Sequence, residues 1–178
     1  MLLLKQIYSD QSYPVFVCRE SDISDYFNGH LRKDIGRFVT AGYALYDNDA
    51  LVGFFTLSQH SIKREKQRDK GHFSDIPATL LGQFAIADDF CGKDYQNVRY
   101  SRILLDMVLN IHIKIAKEIG STALMLNPIN NTVREKFYKK LGIFSDYQAV
   151  DKKHDYLFAK TKDIIAFLSS SPINKDVY

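Results

Sequence analysis

Two spacings of apolar positions run through this chain, and the elements it predicts follow from where each one holds. Ile23, Tyr26, Phe27, Leu31 and Ile35 fall three and four apart, which predicts an amphipathic helix over 21–38 capped by Ser21 or Asp22. Before it, Pro14-Val-Phe-Val-Cys18 is short, apolar and β-branched, a weak strand. Ala41–Tyr46 and Ala50–Ser58, joined by Asp47-Asn-Asp49, predict a β-hairpin. A basic stretch then reads as a loop or short helix, Thr79–Ala87 as a strand, and Asp88–Val98 as a polar connection. Ser101–Ile119 gives the clearest helix: eleven of its nineteen residues are apolar and lie nearly all round it, so it should be sandwiched rather than lie on the surface. Gly120 ends it. Thr122–Leu126 reads as a buried strand, Asn131–Leu141 as a helix stopped by Gly142, Tyr156–Ala159 as a last strand, and Ile164–Leu168 as a terminal helix.

Strand–helix–strand–helix–strand in the second half implies parallel pairing, and the hairpin in the first half adds antiparallel pairing. The expected fold is therefore an α/β domain with a mixed, partly parallel sheet covered by helices on both faces. With 178 residues, no repeat and no linker-like tract, one domain over 1–178 is expected.

Composition narrows the function classes. Hydrophobic residues at 46% and charged residues at 25% exclude a disordered chain. Two cysteines, Cys18 and Cys91, without a CxxC spacing exclude zinc and disulfide scaffolds, and read as free thiols of a reducing, cytoplasmic compartment. No apolar run approaches the roughly 18 residues a membrane helix needs, and Met1–Leu4 stops at Lys5, too short for a signal-peptide core. No metal spacing joins His60, His72, His112 and His154, which read as surface or satisfied histidines. The net charge of +3 is local. His60 to His72 holds five bases, Lys63, Arg64, Lys66, Arg68 and Lys70, against two acids, and so carries the whole excess. That stretch is either a solvated charged loop or a contact for nucleic-acid phosphates through Lys63, Arg64, Lys66 and Arg68.

One motif goes beyond fold. Asn131-Thr-Val-Arg-Glu-Lys-Phe137-Tyr138-Lys-Lys-Leu-Gly142-Ile143 follows a buried strand and resembles the C-terminal signature N-x-x-A-x-x-F-Y-x-x-x-G-F of the GNAT superfamily of acyl-CoA-dependent N-acetyltransferases. Arg134 stands where that pattern has Ala, and Ile143 where it has Phe. The resemblance covers about residues 13 to 160. Phe16-x-Cys18, Gly42-Tyr-Ala-Leu-Tyr-Asp47, Val52-Gly-Phe-Phe-Thr-Leu-Ser58 and Ile76-Pro77 look most like the toxin-type members, which come from toxin–antitoxin pairs and acetylate the amino group of charged tRNA.

The resemblance implies acetyl-CoA as co-substrate and no metal. It also implies a primary amine as acceptor, with charged tRNA the toxin-type choice, an antitoxin protein and a second copy of the chain as partners, and no membrane. Small amines or protein amines are the alternative acceptors, and a GNAT-fold interaction module that has lost CoA is the alternative class. The backbone of Phe84, Ala85 and Ile86 would pair with the pantetheine arm where Gly82–Ala87 and Thr122–Leu126 lie side by side and splay. The family cradles the CoA pyrophosphate with [QR]-x-x-G-x-[GA] at the start of the long helix, where backbone N–H groups form an anion site. Here one register is Gln96-Asn-Val-Arg99-Tyr100-Ser101, without glycines. A second starts at Phe90-Cys-Gly92-Lys93 and is followed by an insertion of about six residues. Arg99 and Arg102 would bind phosphate through their side chains, or Arg99 would fill the groove. Tyr138 would be the general acid that protonates the departing thiolate; without the motif it reads as a core tyrosine. Asn131 would contact the cofactor, or else Asn131 or Thr132 caps the helix, with Thr132-x-x-Glu135 as a capping box.

Overall fold

The computed structural model describes residues 1–63, 75–147 and 156–170. Along the chain run β1 (Leu2–Ile7), α1 (Ser21–Asp25), a π-helical turn (Tyr26–His30), α2 (Leu31–Gly36), β2 (Ala41–Asp47), β3 (Ala50–Lys63) and β4 (Asp75–Ile86). There follow a 3₁₀ turn (Asp88–Phe90), β5 (Asp94–Tyr95), β6 (Val98–Arg99), α3 (Tyr100–Ile119) and β7 (Ala123–Leu126). The last part holds α4 (Asn131–Val133), a π-helical turn (Arg134–Tyr138), a 3₁₀ turn (Lys139–Leu141), β8 (Ser145–Asp146), β9 (Leu157–Lys160) and α5 (Thr161–Ser170). Seven strands form one sheet in the order β1-β2-β3-β4-β7-β9-β8, and β4 with β7 is a parallel pair among antiparallel ones. The mixed sheet is the one the element order predicts.

The chain forms two compact units, Met1–Ser58 with Gly82–Val108, and Gln59–Leu81 with Leu109–Tyr178. In the first, Phe16, Phe27 and Phe54 meet ring to ring at 4.7–5.1 Å between centroids, and Ile7, Leu31 and Ala44 complete this core. Residues 103–108 of α3, Asp106 among them, are all buried, whereas from Asn110 onward the helix is half-buried or exposed apart from His112, so the expected sandwiching holds for its first half alone. In the second unit the four residues of β7 are buried throughout, along with Leu157 and Ala159 of β9 and Ile164 and Leu168 of α5.

Several elements depart from the sequence reading. Pro14–Cys18 is extended but joins no strand. Asn28 takes both backbone groups of Phe16, its Oδ1 accepting from the N–H at 3.0 Å and its Nδ2 donating to the carbonyl at 2.8 Å. Ser24 Oγ accepts from Cys18 N–H. Side chains thus take most of the place of a neighbouring strand, and Asp88 N–H adds one backbone bond to Val17 O at 3.0 Å. Leu2–Ile7, which shows no alternation, is a strand because β2 supplies its register from Leu2–Asp47 to Ile7–Gly42. His60–Lys63, read as part of a loop or short helix, continues β3.

The amphipathic helix over 21–38 is interrupted by the π turn and stops early. Phe38 N–H bonds to Ile35 O and Val39 N–H to Asp34 O, a Schellman closure with Phe38, at φ 59°, in the left-handed position glycine usually takes. An L residue there costs roughly 1 kcal/mol.

A buried polar chain ties the second unit together. Thr161 Oγ1 donates to Ser121 O at 2.7 Å and therefore accepts from His112 Nε2 at 2.9 Å, while Ser121 Oγ bonds to Thr79 Oγ1 at 2.9 Å. This fixes the neutral Nε2–H tautomer, and burial pushes the imidazole down to about 4. An unfolded histidine takes a proton near pH 6.5, whereas His112 resists until about 4. Its contribution to stability is therefore complete above pH 6.5 and is lost as pH falls through that window, by up to about 3 kcal/mol. Denaturant titrations at pH 7 and 4.5 should show this loss, and His112→Gln, which keeps a donor and does not titrate, should show a shallower pH slope. Equal slopes in the two proteins would remove His112 as the cause.

Candidate active site

The pairing of β4 with β7 runs from Thr79–Leu124 to Leu81–Leu126 and stops because β7 stops. The side-by-side stretch is thus 79–81 rather than the expected 82–87, and β4 continues five residues further to Ile86. On its β3 side β4 keeps a neighbour. Gln83 N–H donates to the buried side chain of Thr56, Oγ1 at 2.9 Å. Just past the strand, Ala87 N–H donates to Val52 O at 2.8 Å. Gly53 allows it: a Cβ there would lie 2.6 Å from the Ala85 carbonyl oxygen. Phe84, Ala85 and Ile86 therefore lie in the segment that has outrun β7, Ala85 buried and its neighbours half-buried.

The segment before α3 is a β-hairpin. Asp94 pairs with Arg99 and Tyr95 with Val98, and Gln96 and Asn97 have φ 49° and 65°, the two positive values of a type I′ turn. Tyr100 N–H bonds to Lys93 O at 3.3 Å, so Lys93 and Tyr100 are neighbours and the six residues 94–99 are an excursion between them. This arrangement corresponds to the register that begins at Phe90-Cys-Gly92-Lys93, with Gly92 at φ 75°.

Several other members of this stretch have defined partners. Arg99 Nε is 3.0 Å from Asp94 Oδ1, with its side chain 59% exposed. An exposed pair of this kind contributes at most about 1 kcal/mol and exchanges readily for a better anion. Gln96 is exposed and Ser101 half-buried. Arg102 Nε reaches Asp106 Oδ1, one turn on, at 2.9 Å. Tyr100 is buried and donates its hydroxyl to Asp47 Oδ2 at 2.6 Å, fixing the start of α3 to the β2–β3 turn. Burial and that bond push the phenol up to about 12, and the same bond, helped by the N-terminal ammonium, holds the Asp47 carboxyl below its usual range. Cationic Lys93, Arg99 and Arg102 around the first turn of a 20-residue helix make a donor set that fits a diphosphate.

Tyr138 and Asn131 belong to the second unit. Tyr138 closes the π turn, is 5% exposed, and packs edge-on to Phe137 at 4.9 Å and Phe144 at 5.5 Å. Burial raises its pKa well above the ordinary phenol value, so the hydroxyl keeps its proton across the physiological range. The helix cap is neither Asn131 nor Thr132 but Asn130, whose Oδ1 accepts from Val133 N–H at 2.9 Å. Asn131 is thereby left exposed and without a capping role. Glu135, assigned to a capping box, instead pairs with Lys139 at 3.1 Å, and Lys139 and Arg134 both bind Asp146 on β8. Arg134 has this ion-pair role where the family pattern carries Ala. Of the basic stretch, Lys63 ends β3, while Arg64, Lys66 and Arg68 lie outside the described residues. Among the described residues there is no metal-binding cluster, and no helix is long and apolar enough to cross a membrane.

The fold is the mixed-sheet GNAT N-acetyltransferase fold, in the form taken by toxins of toxin–antitoxin modules. A crystal structure of a tyrosine-to-phenylalanine variant of KacT superposes with a TM-score of 0.72 at 26% identity, covering 93% of this chain and 98% of that one. A complex of AtaT and its antitoxin AtaR bound with acetyl-CoA gives 0.78 at 23% identity, covering 93% and 96%. AtaT complexed with acetyl-methionyl-tRNAfMet gives 0.74 at 22% identity, covering 93% and 98%. No family model matches the chain, and no curated protein does either.

The Tyr100–Asp47 bond has a measurable worth. Tyr100→Phe should lower unfolding stability by about 1.5–3 kcal/mol, the range for a hydrogen bond to a charged group. A loss below about 0.5 kcal/mol would mean that the bond does not hold the helix start.

Proposed function

We propose that this protein transfers an acetyl group from acetyl-CoA to the amino group of an aminoacyl-tRNA. The observation that carries the reading is the β4 segment 82–86, which runs past its parallel partner beside a cationic helix start. The AtaT structures bound with acetyl-CoA and with acetyl-methionyl-tRNAfMet support the same substrates. In this reading Phe84, Ala85 and Ile86 hold the pantetheine arm by backbone pairing. Arg99 and Arg102, with Gln96, Tyr100 and Ser101 at the helix start, hold the phosphates, and Asn131 contacts the cofactor from α4. Acetyl-CoA supplies an activated thioester.

The chain's own task is to orient the amine for attack and to manage the protons. A C–N bond forms, the C–S bond breaks, the amine loses a proton to water, and the sulfur gains one. Tyr138 serves the sulfur. Burial holds its phenol above the ordinary value, and a thiol is ordinarily near 8.5, so full transfer to the free thiolate runs uphill. Tyr138 therefore acts by hydrogen bonding to the sulfur as the C–S bond breaks, and the proton the amine gives to water makes good the one the sulfur finally takes, leaving Tyr138 protonated. In this reading an antitoxin would hold the enzyme in check, as AtaR accompanies AtaT.

Two measurements test this. Calorimetry should detect acetyl-CoA, with Arg99→Gln weakening it several-fold as one charge-assisted contact is lost. No binding by the parent at millimolar cofactor would leave an interaction module as the reading. Tyr138→Phe should keep acetyl-CoA affinity and melting temperature near parental values, yet slow single-turnover transfer to Met-tRNA by about 10²–10⁴-fold. A variant as fast as the parent removes Tyr138 from the chemistry.

A further inference from the structure

Among the described residues Phe38 has nothing to bind. Its backbone is left-handed in a closure that favours glycine, yet its ring is 96% exposed. Val39 beside it is exposed as well, so the apolar contact that usually accompanies this closure is absent. Lys33 and Arg37 are four apart on α2 and its cap and thus share a face; both are exposed and have no carboxylate within ion-pair distance among the described residues. Arg32 donates to Gln11 O at 3.3 Å, and exposed His30 lies at the other end of the segment. The only acid of α2, Asp34, accepts a hydrogen bond from Tyr26 OH at 3.0 Å.

Backbone strain that is not repaid inside the molecule points to an outside use. A bare aromatic face beside unneutralised cations suits a polyanion with unstacked bases, since the ring offers a stacking platform and the cations meet phosphates. A protein surface would meet the ring equally well but would have to supply its own acids against Lys33 and Arg37.

We propose that Phe38, Lys33 and Arg37 form an RNA contact surface, in which an unpaired base stacks on Phe38 and neighbouring phosphates meet Lys33 and Arg37. It rests on the acetyl-transfer reading above in that the natural RNA is then the charged tRNA. It is distinct from the 60–72 basic stretch.

The test uses the full chain without acetyl-CoA, titrated with deacylated tRNA and with a single-stranded RNA of about a dozen nucleotides. Phe38→Gly relieves the strain, so it should melt about 2–4 °C higher, while binding both RNAs about tenfold more weakly. Phe38→Trp should bind at least as tightly as the parent. Replacing Lys33 and Arg37 with Gln should reduce the log–log salt slope by about 1.5–2. A Phe38→Gly protein that is more stable and binds both RNAs as before overturns the proposal. So does one whose RNA affinity holds while its self-association is lost, which would make the patch a contact between copies. Because these titrations contain no cofactor, a failure to bind acetyl-CoA would sink the enzyme reading and leave this result standing on its own.

Discussion

A strand can be hydrogen-bonded on a given side only for as long as its neighbour lasts. β4 has twelve residues and β7 four, and only three of β4's residues find a β7 partner. Burial at every position makes β7 a short, wholly interior strand, so nothing lengthens it to match. On its other side β4 stays against β3, Gln83 N–H bonding to Thr56 Oγ1 and Ala87 N–H to Val52 O. β4 thus has strands on both sides up to Leu81 and, beyond it, β3 but no β7 residue opposite. Gly53, by letting the Ala85 carbonyl come close, keeps that stretch fixed to β3.

Much of this was legible in the chain because the signals were long and periodic. α3, the β2–β3 hairpin and β7 carry enough apolar positions for the period to decide. The signature from Asn131 to Gly142 identified the fold although its helix is irregular, passing from α to π to 3₁₀ turns before Gly142 takes the left-handed position. What the pattern could not show was substitution of one kind of hydrogen bond for another. Pro14–Cys18 looks like a strand, but its partners are the side chains of Asn28 and Ser24 and a single backbone N–H, that of Asp88. Only the fold brings those side chains alongside.

The site shows the same division. Tyr138 could be named from its motif, but its burial against Phe137 and Phe144, and hence its firm hold on the proton, needed the tertiary structure. Asn131 was ambiguous because three neighbouring polar residues can all cap a helix, and Asn130 takes that role. Two positive-φ residues, Gln96 and Asn97, hid inside a stretch that lacks glycine, so the hairpin at 94–99 carried no strong turn signal.

That hairpin leaves the chain at Lys93 and rejoins it at Tyr100, whose backbone groups already touch. Its length is therefore uncoupled from everything on either side. The six residues could be cut out, or the turn extended, without displacing the helix that follows or the Tyr100 hydroxyl that anchors it. A chain built this way carries a modular appendage at the mouth of its helix, where insertion and deletion can reshape a binding surface while the framework beneath stays in register.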